Sequence, residues 1–329
     1  MSLRIIKAGL FDSIQDDGRF GQQHLGINPG GWMDPYSAQL ANALLGKDLT
    51  APLLEMTFPA ATIQFEKATI ICLTGARFSP LVNGYPVPIN QPVFVPADGV
   101  LEFTHQNKGR WCYLSLLHEL AAENWLGSYS TNTKVIAGGF SGRTLQKEDR
   151  LVYKSELHFN TPYGTELREL QWGESSPIEW FDQPFSFIKG PEWGWLTTES
   201  KSALESGTFA VSRQSDRMGY RLSGPTLSLT SEMQLVSSAV CAGTIQRLPN
   251  GQLIVLMADH QTTGGYPRIA SITSAALSHL AQCNPVNLLH LKEIDLAEAE
   301  QKRASLQQYL QGLKNACTFK MQNVVHAAI

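Results

Sequence analysis

Two long stretches of this 329-residue chain are almost free of charge. Residues 68–97 carry only Arg77, and residues 219–258 carry only Arg221, Glu232 and Arg247. Glycine, proline and asparagine interrupt both at short intervals, which excludes a long buried helix or a membrane span. Apolar runs of strand length between turn signals read instead as strands buried on both faces. Thr69–Thr74 is one such run, Asn83-Gly84 spells a type I′ hairpin turn, and Val93–Val95 is followed by the turn Ala97-Asp98-Gly99 and the strand Val100–Phe103. The chain is therefore expected to be mainly β.

The whole chain shares this poverty of charge. Only 17% of its residues are charged, against roughly 25% in an average globular protein, while 43% are hydrophobic and the net charge is −3. Disorder needs the opposite balance. A nucleic-acid partner held by bulk charge needs a basic footprint, which is missing. The start, Met1-Ser2-Leu3-Arg4-Ile5-Ile6-Lys7, lacks the apolar core of a signal peptide, so a cytoplasmic protein with no membrane association is expected. Five scattered cysteines with no CxxC pair read as buried small hydrophobes, and eight dispersed histidines suggest no metal.

Helices are few. Asp34 as N-cap, Pro35 at the first helical position and Gly46 at the C-cap bracket one helix with its apolar stripe at Leu40, Ala41, Leu44 and Leu45. Others are expected at about 273–283 and 296–314, the latter opened by Asp295 and Glu298, with a tail beyond Lys314 that packs as a strand or frays. The looser stretch 155–195, with Pro177, Pro184, Pro191 and four of the seven tryptophans, marks a boundary. Domains at 1–185 and 186–329 follow, the second carrying the C-terminal helix. A faint echo of Gln15–Gly21 in Gln214–Gly219 is compatible with two related β domains.

Four segments hold more polar and glycine content than a core or a plain turn requires. In Gln15–Gly26, Asp16, Arg19 and His24 offer a carboxylate, a cation and an acid–base group, although the residues alone favour a solvated loop. Asn28–Asp34 could bind an anion at the following helix N-terminus, but capping by Asp34 is the better reading. Arg213, Arg217 and Arg221 could clamp a carboxylate or phosphate, or could gather around Asp216 as a salt-bridge cluster. Gly243–Gln246 and Val255–Pro267 run an apolar strand into Asp259, His260, Gln261, Thr262 and Thr263, then Gly264-Gly265-Tyr266. That order places polar groups at a strand end, where a pocket can form. No phosphate-binding loop, GxGxxG, GxSxG or HExxH occurs, and no lysine stands in a biotin-acceptor context.

Taken together, Ser13–Arg19, His24-Leu-Gly26, Gly31–Asp34, Leu126–Thr131, Gly138–Arg143, Ser215–Leu222 and Ala258–Pro267 resemble, in order, the KipA-type family. This is the family of the 5-oxoprolinase C subunit, also called allophanate hydrolase subunit 2, related to the A/B part of carboxyltransferase domains. The resemblance implies two cyclophilin-like β-barrel domains with a few peripheral helices. It implies a KipI-type B subunit, and with it an A subunit, as partners in ATP-dependent opening of 5-oxoproline to glutamate. Biotin-dependent carboxyl transfer to a small amide is the alternative activity, and antagonism of a KipI-type kinase inhibitor without catalysis is a third. His260 stands where the family usually has Arg, and Leu117-His118-Glu119 replaces a small-residue stretch. On this resemblance Asp259, His24 and Asp16 are the candidate catalytic residues. Gln15, Arg19, Arg217, Tyr220, Arg221, Gln246, Gln261, Thr262, Thr263, Gly264, Gly265 and Tyr266 are the candidate substrate-binding residues. ATP would be used by the complex, and biotin only under the alternative.

Overall fold

A computed structural model describes residues 2–154, 156–159, 166–174, 184–231, 235–285 and 287–327. Pro177, within the expected boundary stretch, lies outside the described residues. The chain forms two compact units. One comprises Met1–Gly18, Asp34–Pro177 and Gln307–Ile329, the other Arg19–Met33 and Ile178–Leu306.

The first unit contains two six-stranded antiparallel sheets. One runs Arg150–Val152, Ser2–Lys7, Thr62–Phe65, Gly99–Phe103, Pro80–Val82 and Tyr85–Pro86. The other runs Arg168–Glu169, Pro92–Val95, Thr69–Arg77, Lys108–Leu116, Leu53–Thr57 and Ser13–Gln15. Leu3, Ile5, Ile63 and Phe65 from the first pack with Leu54, Met56, Ile71, Leu73 and Leu114 from the second in one core. The opposite face of the second sheet is covered by helix α1 (Pro35–Leu44), with Thr74 Oγ1 donating to Ser37 O and Ser115 Oγ to Asn42 Oδ1. Burial on both faces accounts for the missing charge of residues 68–76. Asp34 caps α1 by accepting from Ser37 N at 3.0 Å, and Asn83 and Gly84 take the two positive φ values that a type I′ turn requires.

The second unit carries a closed barrel of seven strands. Its order is Phe185–Lys189, Arg268–Ile272, Thr244–Arg247, Leu253–Leu256, Gly219–Ser223, Thr208–Val211 and Leu288–Glu293, which closes on Phe185–Lys189 through a parallel pairing. Helices α2 (Thr198–Ser206) and α3 (Ser274–Ala281) accompany it. The expected mainly β architecture with few helices is present among the described residues. One barrel closes, while the strands of the first unit divide between two sheets that share a core.

Two other expectations change. Helix α4 runs Leu296–Met321, well past Lys314, and a strand at Val325–Ala327 then pairs with Leu157–Phe159. The extra turns are held by Thr318, whose Oγ1 donates to Gly46 O at 3.0 Å. A Cβ on Gly46, at φ +67°, would come within 2.7 Å of Thr318 Cα, so only glycine allows this seat. Cys241 is exposed, unlike the other four cysteines.

Candidate functional site

Strand parity builds the site in the second unit. Along Gly219–Ser223, side chains alternate between the two faces of the barrel wall, so Tyr220 and Leu222 are buried while Arg221 is exposed. Arg221 pairs with Ile254, which pairs with Gln246, giving a row across three adjacent strands. This row forms part of an open cavity of about 430 Å³. Asn250, Gln261 and Tyr266 add polar groups to its wall, and Met218, Leu248, Pro249 and Leu256 complete its apolar part. Arg221, Gln246, Gln261 and Tyr266, all singled out in the sequence, therefore meet here. Met218, Ile254, Leu256 and Asn250 are not reached by sequence reasoning. For Ile254 and Leu256 the signal is the strand register, which becomes visible only once the pairing is known.

Gln246 owes its position to a glycine. A Cβ on Gly264 would lie 2.4 Å from Gln246 Nε2, so the amide lies directly over that Cα. Gln246 Nε2 also approaches Tyr266 O at 3.4 Å. Gly264 itself belongs to the short strand Thr263–Gly264, paired with Ser238–Ala239. Gly265 is different, because a Cβ there would meet only Ser237 Oγ at 3.5 Å and Leu235 O at 3.6 Å. Thr262 contributes its carbonyl to Val240 N.

Arg217 and Asp259 form a separate constellation in the same unit. The guanidinium donates to both carboxylate oxygens, at 2.8 and 3.0 Å, and to Gly31 O at 2.7 Å. Arg19 is fully buried, and its Nη1 would lie 3.1 Å from a Cβ on Gly30, with Asp259 Oδ1 at 3.9 Å. The Asn28–Gly31 turn thus passes close to two arginines and one carboxylate. Between Asp259 and Gln261 sits buried His260, whose Nδ1 lies 2.5 Å from Gln261 O. Burial lowers the pKa of this imidazole, outweighing the Gln261 carbonyl and the Asp259 charge, which both raise it.

The remaining candidates lie elsewhere. Tyr220 is fully buried and donates its hydroxyl to Ala281 O at 2.8 Å, a bond within the folded interior. His24 is exposed in a one-turn helix, Gln23–Leu25. Gln15 and Asp16 belong to the first unit. Asp16 accepts from Ser128 Oγ (2.5 Å), Ser130 Oγ (2.6 Å), Tyr129 N (2.6 Å) and Gly18 N (2.9 Å), so its carboxylate fastens the 128–130 segment. Gln15 Nε2 donates to Ser13 Oγ at 2.9 Å. Among the described residues, no group of three His, Cys, Asp or Glu is placed to hold a metal ion. No helix there is long and apolar enough to cross a membrane.

A mainly β chain with a closed barrel and a polar row on its wall matches a known family. The model of the carboxyltransferase domain, subdomain A and B, covers residues 25–293, and the chain belongs to that family. Within it, the chain is a homologue of the 5-oxoprolinase C subunit. It is 35% identical to that protein of Escherichia coli (strain K12), over 94% of this chain and 97% of the relative. It is 31% identical to that of Haemophilus influenzae, over 92% and 94%. The crystal structure of the Kluyveromyces lactis urea amidolyase superposes with a TM-score of 0.84 over 95% of this chain and 20% of that one. At 22% identity that likeness is one of fold.

Proposed function

We propose that the chain is the C subunit of an ATP-dependent 5-oxoprolinase and acts in the cytoplasm with the A and B subunits to open 5-oxoproline to glutamate. The observation that carries this reading is the near end-to-end match, in both directions, to the 5-oxoprolinase C subunit. The urea amidolyase match takes in only a fifth of that longer chain, which leaves biotin-dependent carboxyl transfer without comparable support. We infer that both units are variants of the cyclophilin-like barrel.

In this reading the cavity takes the substrate. Arg221 holds the carboxylate, and the amides of Gln246 and Gln261 meet the lactam N–H and C=O. The backbone N–H of Gly265, next to Tyr266 of the cavity wall, donates to the oxyanion that forms on the lactam carbon as water adds. Collapse breaks the C–N bond, and the nitrogen takes a proton to become the amine of glutamate. Asp259 and Asp16 are assigned to holding loops, because Arg217 and the 128–130 segment occupy their oxygens. His24, exposed on the Gln23–Leu25 turn and absent from the cavity wall, is given no step, and the proton that reaches the nitrogen is the one the added water loses. Hydrolysis of ATP to ADP and phosphate by the complex would supply the driving force. The sequence of this chain has no phosphate-binding loop, so the nucleotide is assigned to the other polypeptides of the complex.

The test is co-expression with the A and B subunits and an assay of ATP-dependent glutamate release. Arg221→Ala is expected to raise KM for 5-oxoproline at least about tenfold, as loss of a charge-assisted hydrogen bond does. Equal turnover by the two other subunits without this chain would overturn the proposal.

A further inference from the structure

The cavity is larger and more apolar than 5-oxoproline needs. That molecule has about nine non-hydrogen atoms, which at close-packed density occupy on the order of 150–200 Å³, against a cavity of about 430 Å³. The polar groups Arg221, Gln246 and Gln261 suffice for its carboxylate and lactam. Between Arg221 and Gln246 the row is Ile254, with Met218 and Leu256 beside it on the wall, an apolar surface wider than so small a ligand covers. Two large side chains of the cavity stay open to water: Met218 is 38% exposed and Tyr266 43% exposed. Apolar surface gathered beside an exposed guanidinium is the pattern of a ligand site rather than of a solvated barrel wall.

We infer that the cavity accepts a 5-oxoprolyl dipeptide whose second residue is apolar, with the lactam at Gln246 and Gln261, the apolar side chain over Ile254 and Met218, and the terminal carboxylate at Arg221. The inference rests on the assignment of the lactam to this cavity. The side-chain preference reports on the apolar wall independently of turnover. No new bond is made or broken by this binding step.

Three probes test it by calorimetry on the full chain and on the co-expressed complex: 5-oxoproline, 5-oxoprolyl-glycine and 5-oxoprolyl-leucine. Burying one leucine side chain is expected to tighten Kd about tenfold or more over the glycine probe. Met218→Ala should shrink that ratio several-fold, and Arg221→Ala should weaken both peptides. Equal affinity for the two peptides refutes the inference, as does a ratio unchanged by Met218→Ala. Failure of every probe to bind either preparation also refutes it. Glutamate release without a leucine preference leaves the 5-oxoprolinase reading standing and this one fallen. A leucine preference without glutamate release does the reverse.

Discussion

Adjacent glycines with opposite surroundings give the sharpest test of the cavity. Gly264→Ala places a methyl 2.4 Å from Gln246 Nε2, about 1 Å inside ordinary contact. The obstacle is the far end of a flexible side chain, so the backbone need not move and Gln246 must swing aside instead. An off-rotamer glutamine costs about 0.5–1.5 kcal/mol, and the long bond to Tyr266 O at 3.4 Å is little loss. Stability should therefore fall by only about 1 kcal/mol. The effect on the site is larger, because about 1 Å of misplacement can lower turnover by about 10²-fold. Gly265→Ala meets nothing closer than 3.5 Å and should change both quantities little. Urea unfolding of the two variants, alongside glutamate release by the complexes, separates the cases. If Gly264→Ala unfolds the protein, or if the two variants behave alike, the assignment of Gln246 to the site is wrong.

Other perturbations follow from the same structure. Asp12 is buried and its pKa is raised to about 7 by desolvation, which outweighs the hydrogen bonds from Ala61, Thr57 and Gly9. Since the folded pKa exceeds the unfolded one, its favourable contribution is complete below pH 4 and is lost as pH rises to about 7. The change is on the order of 4 kcal/mol, and Asp12→Asn should flatten this limb of a stability–pH profile measured by urea titration. Gly46→Ala combines a positive φ with backbone contact at Thr318, and should cost at least about 2 kcal/mol in the same assay. For Arg217 and Asp259, a double-mutant cycle to alanine should give a coupling of about 1–3 kcal/mol, whereas a solvated pair would give under about 1 kcal/mol.

Much of the fold is legible locally, because its signals are chemical and short in range. Asp34, Pro35 and Gly46 bound α1 by capping, and Asn83-Gly84 fixes a hairpin by its φ requirement. The missing charge of residues 68–76 marks a sheet covered on both faces. What the sequence hides is long-range. Nothing local says that α4 continues to Met321, since its last turns depend on Thr318 meeting Gly46 272 residues away. Likewise, the split of the first unit's strands into two sheets is set by pairings such as Ser2–Val152. Asp16 stands as a catalytic candidate only through the family resemblance, and its structural role is hidden because its spacing from its partners at 128–130 carries no pattern.

The three arginines of residues 213–221 show why residue type outruns role. As a string they suggest a single clamp, yet strand geometry separates them. Arg217 precedes the strand and is buried against Asp259 and Gly31. Arg221 lies two residues into the strand, on the face opposite Tyr220, so the same alternation that puts Tyr220 in the interior puts Arg221 at the cavity. Arg213 is exposed in the turn before either. One arginine is thereby committed to holding the Gly30-Gly31 loop and another is left free to meet an anion. A one-residue slip in the register of Gly219–Ser223 would exchange the places of Tyr220 and Arg221 and remove the cavity's cation. Gly219 disfavours that slip, because its Cβ would lie 2.7 Å from Ile254 Cδ1 and a larger residue in its place would displace Ile254 from the row.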